Sequence, residues 1–322
     1  MTVSGNVSLF RLFRRNGTAV AGLVLIALAV LVAVFAYPLA PDSSPYANRI
    51  ILEAGGNRPG FQQDFLLVKK EAAVDHPGLF GRLLYGTPDS YDYIPLSSGA
   101  FRGDSFYAAK YVDEGLTEPR VYARAQLASD PVQRRSFRLG SDKYGRDILS
   151  RLIIGTRVSL CVGLVTVILS LSIGVFLGAI AGYFGGRTDA IVQWLINVLW
   201  SIPTLLLVFS ITLLLGKGFW QVFIAIGLTL WVNVARLVRG QVLAARELPY
   251  VEAARVLGFS HFRTLFRHIL PNITGPILVI AASNFASAIV LEAGLSFLGV
   301  GVQPPMPSWG LMIKENYNFI IT

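Results

Sequence analysis

The sequence predicts an all-α polytopic membrane protein with a small extracytoplasmic domain of mixed fold inserted after its first span. Three observations predict it. Hydrophobic residues make up 53% of the chain, charged residues only 15%, and mean hydropathy is +0.57, the composition of the membrane class. Five apolar runs recur along the chain, each long enough to approach the ~20 residues that cross about 30 Å of hydrocarbon. Between the first and second runs lies a stretch rich in Pro, Gly, Ser, Asp and Tyr with no run of that kind.

The same inventory excludes several function classes. A formal charge of +9 would suit nucleic acid, but the basic residues are scattered and no aromatic–basic motif accompanies them, so no nucleic-acid partner is expected. A single cysteine, Cys161, lies in an apolar run and rules out an intrachain disulfide or a Cys-based metal site. Three histidines, His76, His261 and His268, are too few and too dispersed for a metal cluster. No GxxxxGK[ST] loop and no nucleophile–base pair occurs, so neither ATP binding nor enzyme chemistry is expected within this chain.

Residues 1–17 carry Arg11, Arg14 and Arg15 without an acid. They read as a tail held in the cytoplasm by the positive-inside rule. Residues 18–38 are the first span. A cleaved signal peptide competes with that reading, but its apolar core would be about 7–15 residues. Residues 39–138 carry nearly balanced charge and enough chain for a folded domain. FLLV (65–68) and LFGRLLY (79–85) are its candidate core. Being long, it translocates regardless of its own Lys and Arg.

Residues 139–157 open the second dense segment, LGSDKYGRDILSRLIIGTR. Gly145 suits a tight turn. Asp142, Lys143, Arg146 and Asp147 are placed for a local ion-pair network, and Asp147 can cap a helix running through Arg157. Two roles are open, an interfacial brace and a direct substrate contact. Residues 158–322 hold the remaining spans at 158–181, 190–214, 218–235 and 274–294. Pro203 lies inside the third and predicts a kink. Glu292 lies near the outer end of the fifth. An ionisable group there is a functional candidate, with a cap on a re-entrant turn as the alternative. Pro203 and Glu292 are the candidate gate residues.

The loop 236–273 organises the rest. Residues 236–271 carry six arginines (236, 239, 246, 255, 263 and 267) against Glu247 and Glu252, which puts the loop in the cytoplasm. Counting spans from a cytoplasmic N-terminus gives the same side. Tyr250, Ala253, Ala254 and Leu257 share one helical face, and Phe262, Leu265, Phe266 and Ile269 repeat that spacing. Gly258 between them suits a left-handed cap, and Pro271 ends the second segment or opens the next helix. The expectation is two short amphipathic helices joined by a Gly elbow.

Glu252-Ala253-Ala254, then Gly258, then Leu270-Pro271 resemble the EAA loop of ABC-importer permeases, with His268 where that pattern has an aliphatic residue. Residues 139–160 resemble the LGTDxxGRDxLSRxIxGxRxSL signature of dipeptide, oligopeptide and nickel importer permeases, with Ser141 for Thr. The resemblance covers 139–313 closely and 1–38 by layout. It implies a permease subunit of the bacterial inner membrane that moves di- or oligopeptides. Its implied partners are a second homologous permease, two ABC ATPase subunits that bind ATP-Mg, and an extracytoplasmic solute-binding protein. Tyr250, Glu252, Ala253, Ala254, Gly258, Leu270 and Pro271 would couple it to the ATPases, and Gly140, Asp142, Gly145, Arg146 and Asp147 would form the periplasmic motif. The family also has a sixth span, where this sequence stops at Thr322 after NYNFIIT; truncation is the expectation.

Other readings stay open. Nickel or another small solute is the alternative cargo. A membrane-anchored sensor would use 39–138 to bind ligand. A secondary transporter would need more ionisable residues inside spans two to five than the sequence offers.

Overall fold

A computed structural model describes residues 14–71 and 77–317. Arg11, His76 and the terminal residues 318–322 lie outside the described residues. The chain divides into two units, Met1–Arg157 and Val158–Thr322.

The first unit begins with α1 (Gly17–Val34), an 18-residue apolar helix with no buried residue. Asn16 caps it by accepting the Ala19 N–H at 3.3 Å. The helix stops short of residue 38. Phe35 interrupts it, and Ala36–Leu39 (α2) forms a separate turn whose Ala36 and Tyr37 pack with Ala40, Ala47 and Ile154.

The inserted stretch folds mainly as one antiparallel sheet. Its strands are β1 (Phe61–Lys69), β2 (Tyr91–Arg102), β3 (Ser105–Asp113), β4 (Leu116–Ala123) and β5 (Leu127–Phe137), in the order β4-β3-β2-β1-β5. Strand β1 lies between β2 and β5, with Phe65 opposite both Pro95 and Gln133. Alternation along β1 sends Phe65 and Leu66 to opposite faces. Leu66 packs with Leu96, Phe106, Ala108 and Leu127, whereas Phe65 packs with Ile51, Ala54 and Phe137.

The expected second contributor to that core does not join it. Leu79–Tyr85 forms a short helix, α3, with Leu79 84% and Phe80 82% exposed. The reason lies in its anchor. Arg157 donates to the α1 carbonyls of Ala33 and Val34 at 2.8 and 3.0 Å, and to those of Leu84 and Leu83 in α3 at 2.8 and 3.1 Å. One guanidinium thus satisfies the orphan carbonyls at two helix ends. It fixes α3 where a membrane-length helix ends, a level that suits exposed apolar side chains.

Helix α4 (Ile148–Phe184) has 37 residues; it starts directly after Asp147 and continues without a break through the apolar run expected from 158. Then come α5 (Gly186–Trp200), α6 (Thr204–Leu215), α7 (Phe219–Arg246), α8 (Pro249–Val256), α9 (His261–Phe297) and α10 (Trp309–Asn316). Among the described residues four helices are long and apolar enough to cross a membrane, or five crossings if α5 and α6 count together. That pair is not the kinked span expected for 190–214. It is bent by 92° at residues 201–203. Pro203 lacks an N–H and drives Ile202 away from helical backbone, so the helix breaks there.

Within the second unit α7 is the axis, with 14 buried residues. Phe223, Ile226 and Leu230 pack with Val162, Val208, Ala288 and Leu295. Further along, Val234, Val238 and Val242 pack with Ala179, Tyr183, Val251, Leu265 and Ile269. Gly174, Gly178 and Gly182 on α4 fall at i, i+4 and i+8. A methyl there would stand 2.7 Å from the Trp231 carbonyl oxygen, 2.9 Å from Ala235 Cα and 2.7 Å from the Arg239 carbonyl oxygen. Small residues at this spacing let two helices approach backbone to backbone. Arg239 grips Asp189 of α5 through Nε and Nη2 at 2.5 and 2.6 Å, and Arg236 lies 3.3 Å over the Trp200 ring.

Candidate coupling loop and periplasmic motif

The elbow exists, with its faces redistributed. In α8, Val251 and Ala254 are the buried residues; Tyr250, Ala253 and Leu257 are exposed. The expected face of Tyr250, Ala253, Ala254 and Leu257 is therefore mostly the outer one. The same split occurs beyond the elbow, where Leu265 and Ile269 are buried while Phe262 and Phe266 are exposed and stack at 5.5 Å. Spacing alone locates an apolar face but not what covers it.

Gly258 takes φ +76° and closes α8, its N–H reaching the Arg255 carbonyl at 2.9 Å while Phe259 N–H reaches that of Ala254 at 3.1 Å. Ser260 caps the next segment through the Arg263 N–H. Pro271 stands in the first turn of a 3-10 stretch, Leu270–Ile273, that follows a π-helical stretch at Thr264–Ile269, the position where its missing N–H costs least. The turns are continuous enough that the chain stays helical from His261 to Phe297. The elbow is anchored by Tyr183, whose hydroxyl lies 3.1 Å from His261 Nδ1. Glu252 is exposed. Val256 (83% exposed) and Leu257 (71%) follow it by about one helical turn.

The candidate periplasmic motif, residues 140–147, turns its charges on itself. Asp142 accepts from Arg146 Nε at 2.7 Å and from the Tyr144 and Arg146 N–H groups at 2.9 and 3.0 Å. Arg151 Nε stands 3.7 Å from the same oxygen, Oδ2, that Arg146 Nε reaches. Sequence reasoning missed Arg151, although a charge beside Leu152 and Ile153 on a helix is a signal of buried pairing. Lys143 does not join the network; its ammonium lies 4.9 Å over the Tyr144 ring. Gly140 and Gly145 take φ +79° and +73°, and a Cβ on either would strike the Asn57 or Ile51 carbonyl. Ile51 N–H bonds Tyr144 O at 3.0 Å and Gly56 N–H bonds Asp142 O at 2.9 Å. Such interlocked backbone fits the brace better than a substrate contact.

Asp147 caps α4. Its Oδ2 accepts from Ser150 N–H at 2.8 Å and from the Ser150 hydroxyl. Burial pushes its carboxyl above the ordinary aspartate range, against the downward pull of those bonds.

Of the candidate gate residues, Pro203 stands at the break before α6. Glu292 is fully buried. Ser296 Oγ donates to its Oε1 at 2.6 Å and accepts from Val302 N–H at 3.0 Å, so the carboxylate helps pin the chain that returns after α9. That matches the turn-capping alternative.

The model of the family described as "binding-protein-dependent transport system inner membrane component" matches residues 174–322, and that of the N-terminal TM domain of oligopeptide transport permease C matches residues 8–55. The dipeptide transport system permease protein DppC of Lactococcus lactis is 31% identical over 309 residues, covering 95% of this chain and 78% of that protein. This chain belongs to the binding-protein-dependent permease family. The oligopeptide permease OppC of Bacillus subtilis is 42% identical over 189 residues, 59% of this chain and 62% of that one. The glutathione permease GsiD of Pectobacterium atrosepticum is 42% identical over 177 residues, 55% of this chain and 59% of that one. These two alignments thus span about three-fifths of either relative. The elbow and α7 lie within the matched residues 174–322, whereas the turn at 139–147 lies between the two matched stretches.

Proposed function

We propose that this permease carries di- or oligopeptides inward across the bacterial inner membrane, driven by ATP hydrolysis on separate subunits. The observation that carries the reading is the elbow: Val256, Leu257, Phe262 and Phe266 stand exposed on a segment whose other side is locked into the core of α7 through Val251, Leu265 and Ile269. An apolar patch presented by a rigid segment is a docking surface. The printed names of the relatives, for oligopeptides, dipeptides and glutathione, support a peptide cargo. The proposed assembly pairs this chain with a second permease, two ABC ATPases that hold ATP-Mg, and a solute-binding protein outside. Closure of the ATPases pushes on the elbow. The push reaches α4 through Tyr183 and α7 through Val242, and the spans rock between outward- and inward-open states. The N-terminus and elbow then face the cytoplasm, and the sheet domain faces outside.

Proteoliposomes holding the whole transporter test this. Gly258→Pro cannot adopt the +76° backbone, and Glu252→Lys reverses a charge beside the docking patch. Either is expected to cut uptake per ATP hydrolysed by about tenfold, the scale of a typical 1–3 kcal/mol coupling, with membrane insertion retained. Undiminished uptake in both variants would overturn the coupling role.

A further inference from the structure

The sheet domain's unit contains a cavity of about 240 Å³ that none of the roles above uses. Asp42, Arg49, Arg135 and Asp147 line it. Arg49 is neutralised: its Nε donates to Asp89 at 2.7 Å, and its Nη2 pairs with Asp42 at 3.2 Å. Arg135 is not. Its Nη2 donates to the Tyr93 hydroxyl at 2.9 Å and its guanidinium lies 4.4 Å over that ring, but among the described residues it forms no ion pair. Arg49 covers the same ring at 4.0 Å, so a second guanidinium repels it. Opposite in sign is Asp147, 7% exposed, whose Oδ1 has no hydrogen-bond partner.

One cavity therefore presents a guanidinium without a counter-ion and a carboxylate oxygen without a donor. Buried polar groups are rarely left so. A carboxylate suits Arg135 in bidentate fashion, and an ammonium suits Asp147 with Asp42 beside it. Ile51 and Phe137 supply apolar wall for a short side chain, and the exposed Gln133 and Ser136 leave a way in from solvent. The volume is below the roughly 300–1,000 Å³ of drug-sized sites, which limits the ligand to a few heavy atoms. We propose that this cavity binds a small zwitterion bearing one ammonium and one carboxylate, an amino acid or the shortest peptide. The displacements of both groups agree: burial and the charge of Arg49 lower Arg135, and burial raises Asp147, so a ligand of each opposite charge would relieve both.

The test is equilibrium dialysis of radiolabelled alanine against the full chain in lipid nanodiscs, with propionate, propylamine and alanyl-alanine as competitors. The expected result is one saturable alanine site, displaced about tenfold less well by propionate or propylamine, each of which leaves one buried charge unpaired. Alanyl-alanine competing as well as alanine assigns the site to short peptides; competing about tenfold worse assigns it to free amino acids. Arg135→Gln and Asp147→Asn should each weaken alanine by about tenfold or more. No saturable alanine site, or propionate binding as well as alanine, would overturn the proposal. That wild-type panel decides even if Arg135→Gln fails to fold.

Discussion

Asp147 makes the clearest residue-scale prediction, because its environment fixes a sign. Its folded carboxyl holds a proton more tightly than an unfolded one. The folded state therefore binds more protons between the two pKa values. Its contribution is full below the unfolded value of about 3.9 and is lost as pH rises through the raised folded value. Asp147→Asn keeps an acceptor for Ser150 and removes the ionisation. Unfolding midpoints measured from about pH 4 to 7 should fall less with rising pH in the variant than in the parent. An unchanged slope would refute the assigned cause. Arg157 gives a second case. It serves four carbonyls at two helix ends, and some of them regain water when it is removed. Arg157→Gln should destabilise by roughly 1.5–3 kcal/mol, the range of one bond to a charged donor rather than four. Thermal unfolding in detergent, with protease sensitivity at residues 79–85, would register it.

Packing of α4 on α7 is decided at the element scale. Gly178 faces the Ala235 backbone, and backbone cannot step aside as a side chain can. Gly178→Leu is expected to destabilise at or above the upper end of the roughly 1–3 kcal/mol typical of overpacking, whereas Gly240→Leu on the same α7, with open space at its Cβ, should be near neutral. A detergent unfolding midpoint equal in the two variants would sink the close-approach argument. This contact also marks where sequence reading reaches its limit. Among the described residues, apolar length located the four helices long enough to cross a membrane, and the Gly258 turn was legible because only one conformation suits that cap. The depth of the break at Pro203 was not, since whether neighbours repair a lost bond depends on tertiary surroundings. Nor was the sheet: FLLV marked candidate core, but register among five strands arises from pairings far apart in sequence. Leu79–Tyr85 misled for the opposite reason. Its apolarity is real, but the Arg157 anchor that removes it from the core lies more than seventy residues away.

For the whole molecule the open matter is sidedness, and the broken pair α5–α6 makes it sharp. With a cytoplasmic N-terminus, α1 leads outward and α4 inward. If α5 and α6 together cross, α7 returns the chain to the cytoplasm and the elbow with it. If the 92° bend instead sends the pair back to the side it came from, α7 leads outward and the elbow faces the exterior. Span counting thus loses its force once the bend is known, while the charge argument keeps it. Six arginines between 236 and 271 resist translocation and predict that α5–α6 crosses. Cysteine labelling decides the matter, since Cys161 is the chain's one cysteine and Cys161→Ser clears the background. Leu257→Cys on the elbow and Tyr107→Cys on β3 both replace exposed side chains. A membrane-impermeant maleimide should label position 107 in cells with a permeable outer layer, and position 257 only after the inner membrane is opened. Labelling of 257 in sealed cells would make α5–α6 a re-entrant loop, place the elbow beyond reach of any cytoplasmic ATPase, and remove the proposed drive from this permease.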